Sequence, residues 1–386
     1  MNRRLKCDVI VIGGGLFGAF TGLFLARAGL SVALLEKGQI GAQASATNFG
    51  NLRLHGRSAR QYPLSIRAQE LWEAYGTLTG EGCEIERTGH LYFAHGERGE
   101  IQLRKDVETA TRFGVESQLL KKDALHARFG FLSRHIRLAA FSPRSAVANP
   151  RLSTPPVTRA LARAGGTVIE GCEVAGFDST ATGFAVTSTD GRCFEAPRLV
   201  NAAGAWAGKL AQQAGEPVPM FSAGPPQFVT EPLPHRLHPS VHMVEGDVIV
   251  RQIPRGNIIF SGYPRTRSLP SGEFTYVPPA KTLRGMRTLV ECIPMLARAE
   301  IIRVWSGVEG YLPDMLPVIG ASTTTPGLFH AFGGSGGGFQ IAPAVGECLA
   351  ALVRGEASKV DISGYGIDRF TEGSEVSEKI HLEFDQ

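Results

Sequence analysis

The sequence predicts an α/β fold, α+β overall, in which a nucleotide-binding α/β domain carries an inserted antiparallel sheet. Three observations predict it. An apolar run followed by Gly13-x-Gly15-x-x-Gly18 opens the chain, a second glycine-rich turn (GGSGGG, 333–338) lies near its other end, and the composition between them changes after about residue 218. At 386 residues the chain exceeds what one core sustains, so two domains or one large domain with an insertion is expected.

The stretch KCDVIVIGGGLFGAFTGLFLARAGLSVALLEKG reads as a strand (Asp8 to Ile12), a turn, a helix to Ala28, a stop at Gly29 and a second strand ending at Glu36. This is the order and spacing of the dinucleotide fingerprint of a Rossmann-like unit. Gly13 permits the tight turn, Gly15 lets a pyrophosphate approach the backbone, and Gly18 lets the helix pack on the sheet. Leu16 and Phe17 open that helix and count with Gly13, Gly15 and Gly18 as cofactor contacts, as does Lys37 beside Glu36. Glu36, at the tip of the second strand, is placed to accept hydrogen bonds from an adenosine ribose; an acid there disfavours NADP but does not separate NAD from FAD. Val9 to Ala26 runs for 18 residues without a charge, the lower edge of a membrane span, but its five glycines and the fingerprint favour a buried strand–turn–helix.

The totals exclude more than they assign. A formal net charge of +4 is spread along the chain, without the basic block of a nucleic-acid footprint. The cysteines at 7, 83, 172, 193, 292 and 348 are too far apart for a close-spaced zinc or iron–sulfur pattern and show no disulfide framework, so no metal is expected. Reduced thiols and the want of a signal peptide before the first strand lead to an expectation of cytoplasmic residence.

Beyond the first unit, GQIGAQASATNFGNLRLHG (38–56) is polar and rich in Gly, Ser and Asn where a plain nicotinamide domain usually continues into a helix. From 61 to about 114 the pattern is amphipathic helix broken by a strand at 89–96, followed by a helix at 122–129. A helix from NPRLST, strands at 167–170 and 173–177, and a buried strand running into NAAGAW (201–206) come next. Small residues at that junction let backbone approach a ligand. VIVRQIPRGNIIFSGYPR reads as two strands about a turn at 254–257. LPVIG is a buried strand, and the glycine turn after it feeds an apolar helix from Ile341 to Val353. The nucleotide domain is therefore expected from 1–86, 145–217 and 307–386, and the substrate domain from 87–144 and 218–306.

A glycine turn feeding a helix N-terminus presents N–H groups and the positive end of the helix dipole to whatever lies there. Together with the 38–56 segment, it resembles the FAD-dependent amino acid oxidase and dehydrogenase (D-amino acid oxidase, DAO) superfamily. The resemblance implies noncovalent FAD, with Ser45, Thr47, Asn48 and Gly50 along the ribityl chain and ring, and Val174 at the adenine. It also places Ala202, Ala203, Gly204 and Trp206 beside the cofactor. Gly334, Ser335, Gly336, Gly337, Gly338 and Phe339 then stand at the pyrimidine end, where charge accumulates as the ring accepts hydride.

Two departures bear on the substrate. Many relatives read GFSGHGF where this chain has Gly334 and Gly337 in place of the Phe and His, and many read GLRP where it has GVEGYLPD, with Glu309 at the position of the carboxylate-clamping arginine. A clamp from Arg53, Arg251 or Arg265 is then expected, or a substrate cation or hydroxyl at Glu309. His55, Tyr263 and Tyr311 are further pocket candidates, although His55, His90 and His330 read more readily as hydrogen-bonded structural histidines. WSGVEGYLPDMLPVIG is similar to the β subunits of heteromeric opine and D-hydroxyproline dehydrogenases and to the related flavoprotein component of hydrogen cyanide synthase. That resemblance implies hydride removal from the C–N carbon of an amino acid or secondary amine, an FAD-containing α subunit and a small iron–sulfur protein as partners, and FMN between subunits. The alternatives are a sarcosine- or glycine-type oxidase using oxygen, a noncatalytic electron-relay subunit, and a flavoprotein acting on RNA, which the dispersed charge disfavours.

Overall fold

The computed structural model describes residues 5–262, 264–269, 272, 274–371, 373 and 375–384. Its first layer is a six-stranded sheet in the order Val318–Ala321, Leu328–Phe332, Arg198–Asn201, Val9–Ile12, Val32–Leu35, Thr167–Ile169. All neighbours are parallel except the antiparallel edge strand Val318–Ala321. The two strands of the fingerprint are buried throughout, as continuous apolar runs in a parallel sheet must be. Because the strands run the same way, Gly13, Glu36, Ala202 and Gly333 all leave the sheet at its carboxyl edge, the place where such sheets bind ligands.

Helices cover this sheet. Leu16–Arg27 packs on Gly338–Val353, and Gly346 makes the close approach possible: a Cβ there would sit 2.5 Å from Phe20 Cβ. Tyr62–Glu73 buttresses the same pair, with Trp72 stacked 5.2 Å from Phe339 and donating from Nε1 to Gln340 O at 2.7 Å. Trp72 thus anchors the first turn of the last helix from behind. That helix starts at Gly338, three residues before the apolar pattern declares it.

The second large sheet has eight strands, all drawn from residues 90–142 and 227–305. It is antiparallel except where Ser240–Met243 runs parallel to His90–Ala94. Those two strands come from segments far apart in sequence, so no hairpin dictates their direction. The expected pair about 254–257 forms as Ile249–Gln252 and Asn257–Ser261. Sequence reasoning foresaw no helix between 264 and 303, yet Pro279–Cys292 is one. Its buried side chains, Leu289 and Cys292, crowd into the last turns while Leu283 is exposed, so the helical period is faint.

A small sheet, Thr266–Arg267, Phe221–Gly224 and Glu309–Tyr311, joins the two layers. Its register sets Arg267 and Glu309 on either side of Ala223, which brings Arg265 and Glu309 to one wall. All six cysteines are free, and among the described residues no helix is long and apolar enough to cross a membrane.

Candidate functional site

Three adjoining cavities run along the carboxyl edge of the parallel sheet. The first is lined by Gly13, Gly15, Glu36, Lys37, Val174 and the Ala202–Trp206 stretch. The fingerprint glycines act as their spacing implies. Gly13 has φ +108°, and a Cβ there would lie 2.2 Å from Ala202 O. A Cβ on Gly18 would lie 2.0 Å from Gly13 O; Gly18 packs helix against turn and lines none of the three cavities. A Cβ on Gly15 would meet only Ser45 Oγ, at 3.2 Å, and one on Gly204 would meet nothing. Backbone is thus bared to the cleft at both. Glu36 Oε2 accepts from Gly14 N and Oε1 from Gly38 N, each at 2.8 Å, which fixes the carboxylate and leaves each oxygen a lone pair for a hydroxyl. Lys37 Nζ sits 3.5 Å from the centre of the Trp206 ring at the rim.

The second cavity shares Gly15, Ala44, Ser45, Ala202, Gly204 and Ala205 with the first, so the two are one cleft. Its far end is the second glycine turn, from Gly333 to Gly336, with Gly338 and Phe339. The turns from the two ends of the chain meet here, since the Phe17 ring lies 3.7 Å from a Cβ position at Gly334 and 3.5 Å from one at Gly338. Ser335, at φ +45°, ties the turn down: its hydroxyl donates to Gly333 O at 3.0 Å and accepts from Leu312 N at 3.1 Å. Leu16 lines this cavity while its N–H donates to Ser45 Oγ at 2.9 Å. Asn48 lines it too, with its amide occupied in shaping the loop through Ala44 O, Ser45 O and Gly50 N. Thr47 lines none of the three; its hydroxyl donates to Gln43 O at 3.2 Å and packs against Gly307.

The third cavity shares Asn48, Glu309, Gly336 and Phe339 with the second. Arg53, Arg57 and Arg265 line it with Gly50, Gly337 and His242, and Glu309 accepts from the Tyr311 hydroxyl. Arg265 reaches within 2.8 Å of a Cβ position at Gly336, and Arg57 within 2.7 Å of one at Gly337. The absence of side chains at these glycines is what lets two guanidiniums press against the turn. Arg251 lies behind the wall: it is 6% exposed, its Cζ is 5.3 Å from the Phe49 ring, and its Nε has no hydrogen-bond partner. Burial, only partly offset by Glu86 and Glu84, pulls its pKa down to about 10. Tyr263 lies outside the described residues.

His55 does not reach any of these cavities. It is buried against Ser117 Oγ at 2.8 Å and His90 Nδ1 at 3.4 Å, and burial with the Arg53 charge drops its pKa to about 3. His242, which sequence reasoning missed, takes the place on the wall. Burial and then Arg53, Lys379, Arg265 and Arg57 hold it well below the usual histidine range, so it is neutral at physiological pH. Arg57 was missed too; neither residue carries a local motif, and both reach the site through tertiary packing.

His330 is structural in its contacts. Fully buried, it pairs through Nε2 with Glu216 Oε2 at 3.0 Å. Burial alone raises the Glu216 pKa, but bonds from His330, Ser322 and Thr323 outweigh it and bring the value from 4.5 to about 2. A depressed carboxylate contributes stability above its unfolded pKa and loses it as pH falls through the folded one. We expect roughly 3 kcal/mol of stability to disappear between pH 4.5 and about 2, and Glu216→Gln to abolish that acid limb in denaturant titrations at stepped pH.

The cleft suits an elongated dinucleotide. It has one helix N-terminus at its middle and another at its far end, bare backbone at Gly15 and Gly204, and an anchored acid for a ribose. A family model described as FAD dependent oxidoreductase (DAO) matches residues 8–352. Among curated proteins, the chain is 28% identical to a glycine oxidase of Geobacillus kaustophilus, over 94% of this chain and 97% of that one. It is 26% identical to the sarcosine oxidase subunit beta of an Arthrobacter species, over 96% of this chain and 93% of the other. Among solved structures, L-proline dehydrogenase from P. horikoshii superposes with a TM-score of 0.89 at 25% identity, covering 96% of this chain and all (100%) of that one.

Proposed function

The chain belongs to the DAO family of FAD dependent oxidoreductases, and from that membership we propose that it oxidises the C–N bond of a carboxylate-bearing amine, of secondary-amine amino acid, opine or D-hydroxyproline type. One observation carries this reading: the cavity lined by Arg53, Arg57 and Arg265 opens onto the glycine turn and sets Glu309 beside them on the same wall.

The residues that would hold FAD are those of the first two cavities. Glu36 takes the ribose, Gly13 to Phe17 the pyrophosphate, Val174 and Trp206 flank the adenosine, and Gly334 to Phe339 border the ring. Bound FAD supplies the hydride acceptor. Arg265 and Arg57 hold the substrate carboxylate by charge-assisted hydrogen bonds, and Glu309 accepts one from the amine or a ring hydroxyl. The guanidinium charges also disfavour an ammonium, so the amine is presented neutral, with its lone pair free to form C=N as the α-carbon loses hydride. His242 is uncharged and adds a polar wall without competing for the carboxylate.

The full-length match to a sarcosine oxidase subunit beta supports an assembly in which electrons pass to partner subunits. An FAD-containing α subunit, a small iron–sulfur protein and an FMN between subunits complete that proposal. The comparable match to a glycine oxidase supports a second reading, in which electrons return to oxygen.

Anaerobic bleaching of the flavin by a panel of D-amino acids, hydroxyprolines, sarcosine, octopine and nopaline tests the reading. Bleaching by at least one secondary amine, with slow peroxide formation in air, is the expected result. Peroxide released at the turnover rate selects the oxidase. A flavin that none of them bleaches, with any dye acceptor, overturns the proposal and leaves an electron-relay subunit.

A further inference from the structure

A second constellation lies away from the cleft. His95 follows the strand His90–Ala94, His135 precedes the strand Leu138–Ser142, and Cys292 ends the helix Pro279–Cys292. One donor atom of each lies within 4.8 Å of the others, and the set is graded from the buried thiol through half-buried His95 to exposed His135. The two imidazole centres are 5.0 Å apart.

Glu291 stands beside this group without belonging to it: its Oε1 is 3.2 Å from His95 Nε2, but the two histidines and the thiol are the residues whose donor atoms lie mutually within reach of one ion. Outer contacts fix the donors. Ser133 Oγ pairs with His135 Nδ1 at 2.8 Å, which leaves Nε2 for an ion, and Ser133 N donates to Cys292 O at 2.8 Å. Glu245 accepts from the backbone N–H groups of His95 and Gly96. Glu245 and Glu291 place two carboxylates beside the cluster, through the backbone of His95 and Gly96 and through the His95 ring.

We propose that His95, His135 and Cys292 bind one divalent cation of borderline softness, of the zinc type, with the fourth position filled by water or by Glu291 turning in from beside His95. A thiolate with two imidazoles selects such an ion over magnesium or calcium. None of the site's residues lines the three cavities, so it holds the substrate-side sheet together and takes no part in the chemistry. Bound there, the ion ties the end of the helix to the strand end and the loop, three segments that sequence spacing does not connect.

The test strips the flavin-loaded protein with a chelator, re-equilibrates it with zinc and counts metal per chain by elemental analysis. Zinc-edge absorption then reads the ligands. The expected result is a single zinc per chain, with one sulfur at about 2.3 Å and nitrogen or oxygen at about 2.0–2.1 Å. His135→Ala, an exposed change, is expected to weaken binding at least about tenfold, the loss that even an outer partner of a ligand brings. Cys292→Ser removes the sulfur shell, and flavin content checks that each variant is folded. No stoichiometric zinc, a shell without sulfur, or wild-type binding by His135→Ala overturns the proposal.

Discussion

Gly13→Val is expected to yield protein without bound flavin. At φ +108° a branched residue is strained by about 1–3 kcal/mol. Its Cβ would also stand 2.2 Å from Ala202 O and 2.7 Å from Ala202 C, both backbone atoms that cannot rotate away. The surroundings are pinned as well, since Gly13 N donates to Leu35 O and Ala202 N to Ile12 O, both at 2.8 Å. Relief therefore means parting two central strands of the parallel sheet, at a cost that is a large share of the roughly 5–15 kcal/mol by which domains are stable. Gly15→Ala separates folding from binding. Gly15 has φ −74°, which alanine adopts freely, and the new Cβ would meet only Ser45 Oγ. As apoproteins that variant and the wild type should unfold at the same temperature, yet the variant should retain less flavin. Flavin absorbance per chain after gel filtration, with thermal unfolding alongside, reads both. Full flavin retention by Gly13→Val would show that this turn does not hold the cofactor.

Arg265→Met should cost about 30- to 4,000-fold in kcat/KM for a carboxylate-bearing amine, the equivalent of the roughly 2–5 kcal/mol lost when one partner of a buried charged contact is removed. Arg265 is 5% exposed, so the carboxylate it holds is shielded from competing water. Its Cζ also lies 5.2 Å from the centre of the Tyr311 ring and 5.6 Å from that of Phe384, contacts that methionine keeps in part. For that reason flavin content should stay unchanged. A loss confined to KM marks simple carboxylate binding; a fall in kcat as well marks alignment of the C–H bond. Rates within about threefold of wild type, well short of the loss expected from a buried charged contact, would move the clamp to Arg53 and Arg57.

The parts of the site that the sequence discloses are those whose chemistry depends on local backbone. Gly13, Gly15 and Gly18 lie within six residues, and their roles follow from a strand feeding a helix, so spacing alone carries them. The turn at 333–338 is legible for the same reason. Glu36 is readable at a distance because the length of one βα unit fixes where the second strand ends. The substrate pocket follows no such rule. Arg57 and His242 come from segments that meet only through the eight-stranded sheet, and no period or motif distinguishes them from other surface-type residues. His55 and Arg251 carry the right chemistry but turn behind the wall, a matter of packing that residue type does not encode. The helix Pro279–Cys292 is hidden because only its last turns are buried, and the cluster at its end because its ligands come from three separate segments.

The flavin and substrate roles rest on one cleft shared by the two terminal glycine turns, with an arginine-lined pocket at its inner end. A crystal structure of the flavin-loaded protein with a substrate carboxylate bound tests this most directly. The account predicts the adenosine at Glu36, the flavin ring against Gly334 to Phe339, and the carboxylate between Arg265 and Arg57. A ring lying elsewhere, a nicotinamide in the cleft, or a carboxylate remote from these arginines would contradict it.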